Sequence, residues 1–237
     1  MIEAIVLCGG SGTRLKRISG DLPKPMVAIG GRPFLELLLR QLHRHGFGHV
    51  ILASGYREEV IRSFFGDRAL DLDLTYSSEA TPLGTGGALR NAIAEVNSET
   101  VLVMNGDSYT DANLTRFTAT YLEGQADVSM VVVPTDGRSD CGSVAIDNNG
   151  KVLRFEEKQV SSGTKYINAG LYLVPRDFLN EVPPGRQVSL ENEILPRWLK
   201  MGRDVRAFVY PGPCIDIGTP ERYRSAQELL ANVEAKE

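Results

Sequence analysis

The sequence predicts an α/β fold, a Rossmann-like and mostly parallel sheet flanked by helices, with a β-rich insertion on one side. Two observations carry this expectation. Through the first half, apolar runs over 4–8, 50–54, 72–76, 101–105 and 128–133 alternate with segments of helical period over 34–43, 58–65, 86–96 and 114–122. Such an order needs crossover connections, which place a parallel sheet between layers of helix. The second half changes period. Short β-like pieces over 143–146, 152–156 and 167–174 are separated by Asn148-Asn149-Gly150, a hairpin signal, and by a polar tract over 160–165. Helices are expected over 189–200 and 220–233. The first opens on Ser189 with Glu191 and Glu193 in its early turns, where a helix N-terminus favours acids. No linker, repeat or low-complexity tract interrupts the chain, so one domain over 1–237 is expected. Its second half would build a wall or lid over the ligand edge of the first.

Composition narrows the function classes. The chain has 237 residues, 42% hydrophobic and 24% charged, with a formal net charge of −4. That length supports a sizeable core, and the absence of a basic run argues against nucleic-acid partners. The longest apolar stretches, such as Met130-Val131-Val132-Val133, are too short to cross a bilayer. No cationic segment with a long apolar region precedes the first strand, so a cytoplasmic location without membrane contact is expected. Cys8, Cys141 and Cys214 lie far apart with no Cys-x-x-Cys pair, which suits neither a disulfide framework nor a zinc site. His43, His45 and His49 surround Gly46 after a helical segment, where cations at a helix C-terminus explain them better than a metal does. Nothing in the sequence specifies oligomeric state, and a homo-oligomer stays open.

The strongest local signal is Leu7-Cys8-Gly9-Gly10-Ser11-Gly12-Thr13-Arg14-Leu15. Its glycines let backbone N–H groups turn inward as an anion cradle directly after a buried strand. Arg14 adds a planar guanidinium fork, and Lys24 is a second cation held between Pro23 and Pro25. A dinucleotide fingerprint would need a glycine at Leu15, and a Walker loop would need Gly-Lys-Ser/Thr. Both are missing. An ordinary strand-to-helix turn is the plain alternative, and a triphosphate cradle is the reading that the two cations favour.

Phosphate chemistry at that edge calls for carboxylates to hold a divalent cation. Asp107 ends the apolar strand Met104-Asn105-Gly106, although Gly-Asp is also common turn chemistry. Asp216 lies between Ile215 and Ile217, which draws a carboxylate toward the interior, where it needs a partner or a metal. Only the fold can bring these two together. Glu156, Glu157 and Lys158 end another strand, and alternation sends Glu156 and Lys158 to one face and Glu157 to the other. An exposed, self-paired strand end fits them equally well. In Pro82-Leu83-Gly84-Thr85-Gly86-Gly87-Ala88, a fixed proline and three glycines let a flat base lie against backbone before a helix begins.

Taken in order, these pieces resemble the sugar-1-phosphate nucleotidyltransferases. The matching segments are Gly9-Gly10-Ser11-Gly12-Thr13-Arg14-Leu15, Pro23-Lys24-Pro25, the stretch from Pro82 to Ala88, Asn105-Gly106-Asp107, Phe155-Glu156-Glu157-Lys158, Asn168-Ala169-Gly170 and Asp216-Ile217-Gly218. The likeness covers essentially the whole chain and, within the family, looks closest to the heptose-phosphate guanylyltransferases. It implies the nucleotidyltransferase fold and in-line transfer of GMP from GTP to a sugar 1-phosphate. Alternatives are mannose 1-phosphate as acceptor or a uridylyl or thymidylyl donor. The resemblance assigns Leu7, Gly9, Gly10, Ser11, Gly12, Thr13, Arg14, Lys24, Glu79, Pro82, Gly84, Thr85, Asn105 and Gly106 to the nucleotide. It assigns Gly142, Glu156, Lys158, Asn168 and Gly170 to the sugar phosphate, and Asp107 and Asp216 to Mg2+. Arg14, Lys24, Asp107 and Asp216 would carry catalysis. A sensor that had lost activity would be expected to lack one of those four, and all are present.

Overall fold

In the computed structural model of the chain, the described residues are 2–10, 12–135, 137, 141–157 and 165–234, with side chains described as far as 230. Four parallel strands make the centre of the sheet, in the spatial order Thr100–Asn105, Glu3–Leu7, His49–Ser54 and Leu72–Ser78. Alternate residues of the first three enter two cores. Ala4, Val6, Val50, Leu52, Leu102 and Met104 face the layer that contains the Phe34–Arg44 helix. Ile5, Ile51, Val101 and Val103 face the layer built on the Gly84–Ala92 helix and Trp198. Burial on both faces explains why these strands read as unbroken apolar runs.

The run over 128–133 departs from the expected parallel series. Strand Val128–Pro134 pairs antiparallel with Tyr166–Pro175 and parallel only with Val205–Val209, a strand the sequence pattern did not announce. The ten-residue strand Tyr166–Pro175 joins the two halves. Its later residues pair with Thr100–Asn105 and its first residues with Ser143–Ile146, with the register against Val128–Pro134 shifting between Asn168 and Tyr172. The Asn149-Gly150 turn makes the expected antiparallel pair of Ser143–Ile146 with Val152–Glu156. Just after that turn, Lys151 bridges Arg206, and the Ala207 N–H donates to Gly150 O at 2.8 Å. The β-rich insertion therefore curls back on itself. Ser189 caps the helical segment 190–200 by accepting from Asn192 N–H, but the first five residues, Leu190–Ile194, are wound as a π-helix before Leu195–Lys200 becomes α.

The edge at the amino ends of the strands is tied by Glu3. Its carboxylate accepts from the backbone N–H of Asn97 at 2.6 Å and Ser98 at 2.7 Å, and contacts His49 Nδ1 at 2.7 Å. Burial opposes ionisation, but the His49 hydrogen bond and these N–H groups outweigh it and bring the pKa down to about 2. Among the described residues, no helix is long and apolar enough to cross a membrane. A group with a depressed native pKa stabilises the fold above its unfolded value of 4.5 and loses that contribution as pH falls toward about 2. Glu3→Gln should therefore cost about 3 kcal/mol in urea unfolding at neutral pH. The gap to wild type should close as the medium is acidified below pH 4.5; a gap independent of pH would contradict this account.

Candidate active site

The carboxyl ends of all four parallel strands open onto one cleft of about 590 Å³. The first strand contributes Leu7, Gly9 and Gly10, the second Gly55 and Tyr56, the third Glu79, and the fourth Asn105, Gly106 and Asp107. This is where ligands bind in open α/β sheets. The wall is completed by Pro82, Gly84, Thr85 and Gln187. The two central loops touch, since the Gly106 N–H donates to Leu7 O at 3.1 Å, and glycine is required there because a Cβ would drive into that carbonyl. A second cleft of about 630 Å³ lies at the opposite sheet edge, between Ile2, His45, Phe47 and Leu122, away from the glycine loop and from the ion pairs described next.

Asp107 and Asp216 come together through a short clasp. Ser108–Tyr109 pairs antiparallel with Ile215–Asp216, placing Asp216 opposite Ser108, and the Ile217 N–H donates to Asp107 O at 3.0 Å. Each carboxylate has a cation. Lys24 Nζ lies 2.5 Å from Asp107 Oδ2, and Arg222 Nη1 donates to Asp216 Oδ1 at 3.0 Å, the same oxygen that accepts the Gly218 N–H at 2.8 Å. Lys24 is only 8% exposed, and its stem packs under the glycine loop: a Cβ on Gly12, whose φ is +58°, would stand 3.0 Å from Lys24 Cβ. Partial burial works against the Asp107 charge, but the Lys24 ammonium, with help from Ser108 and Arg14, holds that carboxyl below the ordinary range. Thr13 and Arg14 lie on the turn Thr13–Leu15 beside it. Among the described residues no three His, Cys, Asp or Glu side chains form a metal cluster.

Glu79 lies on another wall of the cleft. Glu79 accepts the Leu83 N–H at 2.9 Å, while burial pushes its carboxyl up. A Cβ on Gly9 would come 3.3 Å from Glu79 Oε1, so the glycine loop and Glu79 face each other closely. The glycines after Pro82 also pack against a distant segment of chain. Gly84, Gly86 and Gly87 make room for chain: a Cβ on Gly84 would meet Val188 O at 2.6 Å, and one on Gly87 would meet Arg186 O at 2.5 Å. The Gly86 N–H donates to Val188 O and the Val188 N–H to Leu83 O, both at 2.8 Å. This clamp sets Gln187 on the cleft wall. The Thr85 hydroxyl is likewise turned inward, donating to Glu191 Oε2 at 2.6 Å and accepting the Leu190 N–H at 2.8 Å.

On the insertion side, Gly170 has φ +75° inside the register shift of its strand and lies against Asn105, whose Nδ2 would be 2.7 Å from a Cβ there. The buried Asn105 Oδ1 has no hydrogen-bond partner among the described residues. Asn168 Nδ2 donates to the Tyr172 hydroxyl at 2.5 Å, and Asn168 Oδ1 accepts the Gly170 N–H at 3.0 Å. Tyr172 is fully buried, and burial, with the charges of Glu191 and Glu157, holds its hydroxyl well above the usual range. Glu156 ends its strand half-buried, beside Arg154 at 3.7 Å. Alternation had sent Glu157 to the other face from Glu156. It does lie on the side of Phe155, since a Cβ on Gly142 would stand 2.6 Å from Phe155 Cζ and 2.8 Å from Glu157 Oε2. Glu157, Glu191, Tyr56 and Gln187 are the neighbours that sequence reasoning missed. Ser11 and Lys158 lie outside the described residues.

The glycine cradle, the paired carboxylates and the sheet edge define a nucleotide-handling α/β enzyme, and the comparisons give its class. The Nucleotidyl transferase family matches residues 3–233, and the chain belongs to that family. It is 36% identical to the D-glycero-alpha-D-manno-heptose 1-phosphate guanylyltransferase of Campylobacter jejuni over 94% of this chain and 97% of that protein. It is also 36% identical to the mannose-1-phosphate guanylyltransferase of Mycobacterium tuberculosis, covering 98% of this chain and 66% of that longer protein. The crystal structure of HddC from Yersinia pseudotuberculosis superposes with a TM-score of 0.84 at 35% identity, over 97% of this chain and all of that one. The same protein complexed with GMP-PN gives 0.83.

Because the 186–188 backbone fills the space of two missing side chains, Gly87→Ala should cost about 1–3 kcal/mol of stability. Gly10→Ala, where a Cβ meets nothing within 4 Å, should be nearly neutral. Chemical denaturation of both variants checks this, and equal effects would refute the clamp.

Proposed function

We propose that the chain transfers the guanylyl group of GTP to D-glycero-α-D-manno-heptose 1-phosphate, releasing pyrophosphate and forming GDP-heptose. The observation that carries this reading is that two cation-paired carboxylates are clasped side by side at the edge of a strand-end cleft that Asp107 and Glu79 both line. The guanine assignment draws on Glu79, which offers an acceptor to a donor-bearing base edge, and on the guanylyltransferase names of the relatives. The heptose assignment draws on relatives matched along nearly their full length. Mannose 1-phosphate is the second reading, since the mycobacterial relative is equally identical.

The residues fit a divalent cation of the Mg2+ type. Asp107 and Asp216 are hard oxygen donors, few in number, beside a cradle that would add phosphate oxygens. Bound there, the ion would neutralise charge building on the phosphates. The remaining work falls to the chain. Backbone N–H groups of 9–13 with Arg14 and Lys24 would hold the triphosphate, and Lys24 would leave Asp107 for a phosphate oxygen. Pro82 and Gly84 would line the base and ribose, with Leu7, Thr85, Asn105 and Gly106 shaping the floor. Gly142, Glu156, Lys158, Asn168 and Gly170 would hold the sugar phosphate, with Glu157 added by the geometry. A phosphate oxygen of the sugar forms the new bond to the α-phosphorus as the bond to pyrophosphate breaks. The acceptor phosphate is already anionic, so no side-chain nucleophile is required and alignment supplies the rate. The same reading makes 1–237 one domain working in the cytoplasm.

Asp107→Asn and Asp216→Asn should each lower turnover about 10³-fold, equivalent to about 4 kcal/mol, with the folded state retained by circular dichroism. Near wild-type turnover in either would remove that residue from the metal site. Across four nucleoside triphosphates and a panel of sugar 1-phosphates, pyrophosphate release should be fastest with GTP and the manno-heptose. A preference for UTP or dTTP would overturn the donor, and mannose 1-phosphate outpacing the heptose would overturn the acceptor. Arg14→Lys should raise the KM for GTP, because a point charge does not reproduce the guanidinium fork; an unchanged KM would remove Arg14 from the cradle.

A further inference from the structure

We propose that Arg222 is a positioning residue that sets Asp216 for cation binding, an inference that rests on the metal reading above. Arg222 lies in the first turn of the Pro220–Glu234 helix, and its Nη1 donates to Asp216 Oδ1 at 3.0 Å. Both side chains are largely buried, 21% exposed for Arg222 and 13% for Asp216, so the pair is not a loose surface contact. Three of the site's charges meet at Gly218: a Cβ there would stand 2.8 Å from Asp216 Oδ1 and 3.7 Å from both Arg222 Nη1 and Lys24 Nζ. The helix that carries Arg222 is itself anchored. Tyr223 OH and Gln227 Nε2 both donate to Ala28 O at 2.7 Å, and Ala226 and Leu230 are fully buried. Ala28 lies four residues beyond Lys24, so one helix steadies the surroundings of both cation–carboxylate pairs.

The sign of the effect separates positioning from simple charge. A guanidinium beside a cation site repels the cation, so a purely electrostatic Arg222 predicts tighter binding when it is removed. If Arg222 instead pins one oxygen of Asp216 and orients the other, its removal weakens binding, as outer-shell partners of metal ligands do.

The test is Mn2+ affinity, read from the free-ion electron paramagnetic resonance signal, for the full-length chain with a non-hydrolysable GTP analogue. Half-saturating Mg2+ in pyrophosphate release is the second readout, and melting temperature tracks folding. Arg222→Met should weaken Mn2+ binding about tenfold and raise the Mg2+ requirement in parallel, with Arg222→Lys recovering part of both. Arg222→Gln, which keeps length and a donor, serves if Arg222→Met does not fold, and should also weaken binding. Unchanged or tighter Mn2+ binding in a folded neutral variant overturns the proposal, including when only the melting temperature falls. Asp216→Asn separates the two levels. If it leaves Mn2+ binding intact, the metal reading fails; if it abolishes binding while the Arg222 variants bind normally, only the positioning role fails.

Discussion

The clasp between Ser108–Tyr109 and Ile215–Asp216 is the constraint on which the site depends. Asp107 leaves the carboxyl end of a central strand, while Asp216 arrives after the whole insertion and the Val205–Val209 strand have been laid down. Two antiparallel residue pairs and the Ile217 N–H to Asp107 O bond hold them side by side. Each side of the clasp is braced from behind. Gln41, 2% exposed in the Phe34–Arg44 helix, donates to Thr110 O and Ala112 O, and Ile217 is fully buried in the core beneath. Backbone pairing of this kind positions side chains with far less slack than long charged side chains alone, which lose rotamer freedom when ordered.

Bringing two carboxylates together without compensation would be unfavourable, and the protein answers with two cations of different character. Lys24 is a point charge on a flexible stem under the glycine loop, able to exchange Asp107 for a phosphate oxygen. Arg222 is a planar fork on an anchored helix, suited to staying where it is. Each of the two carboxylates is thus offset by its own cation, with Arg14 adding to the field on Asp107. Elsewhere on the cleft wall, partial burial raises the pKa of Glu79, which accepts the Leu83 N–H.

Much of this was legible in the sequence where a residue's duty is local. The apolar runs marked the three inner parallel strands because burial on both faces leaves little polar alternation, and the glycine loop announced itself by glycines clustered directly after a strand, of which Gly12 takes a positive φ. What depends on distant chain was not legible. The glycines after Pro82 read as a bed for a base, and nothing local showed that two of them also admit the 186–188 backbone, a segment far along the chain. Alternation put Glu157 on the side of Phe155, but only the fold shows that Gly142 lies against both. Val205–Val209 is short and interrupted by Arg206, and its cover is partial, with Val205 and Ala207 against one core and Phe208 against the other. Arg222, in a helix start rich in charge, had no local signal separating it from Arg224 beyond the fold itself.

The central claim is that the clasp turns Asp107 and Asp216 into one functional unit. A double-mutant cycle in turnover, comparing Asp107→Asn, Asp216→Asn and the combined variant at saturating GTP and Mg2+, measures it directly. Groups acting as one unit show strong non-additivity, so the double variant should be little worse than either single one. Losses that multiply would show two independent contributions and contradict the account.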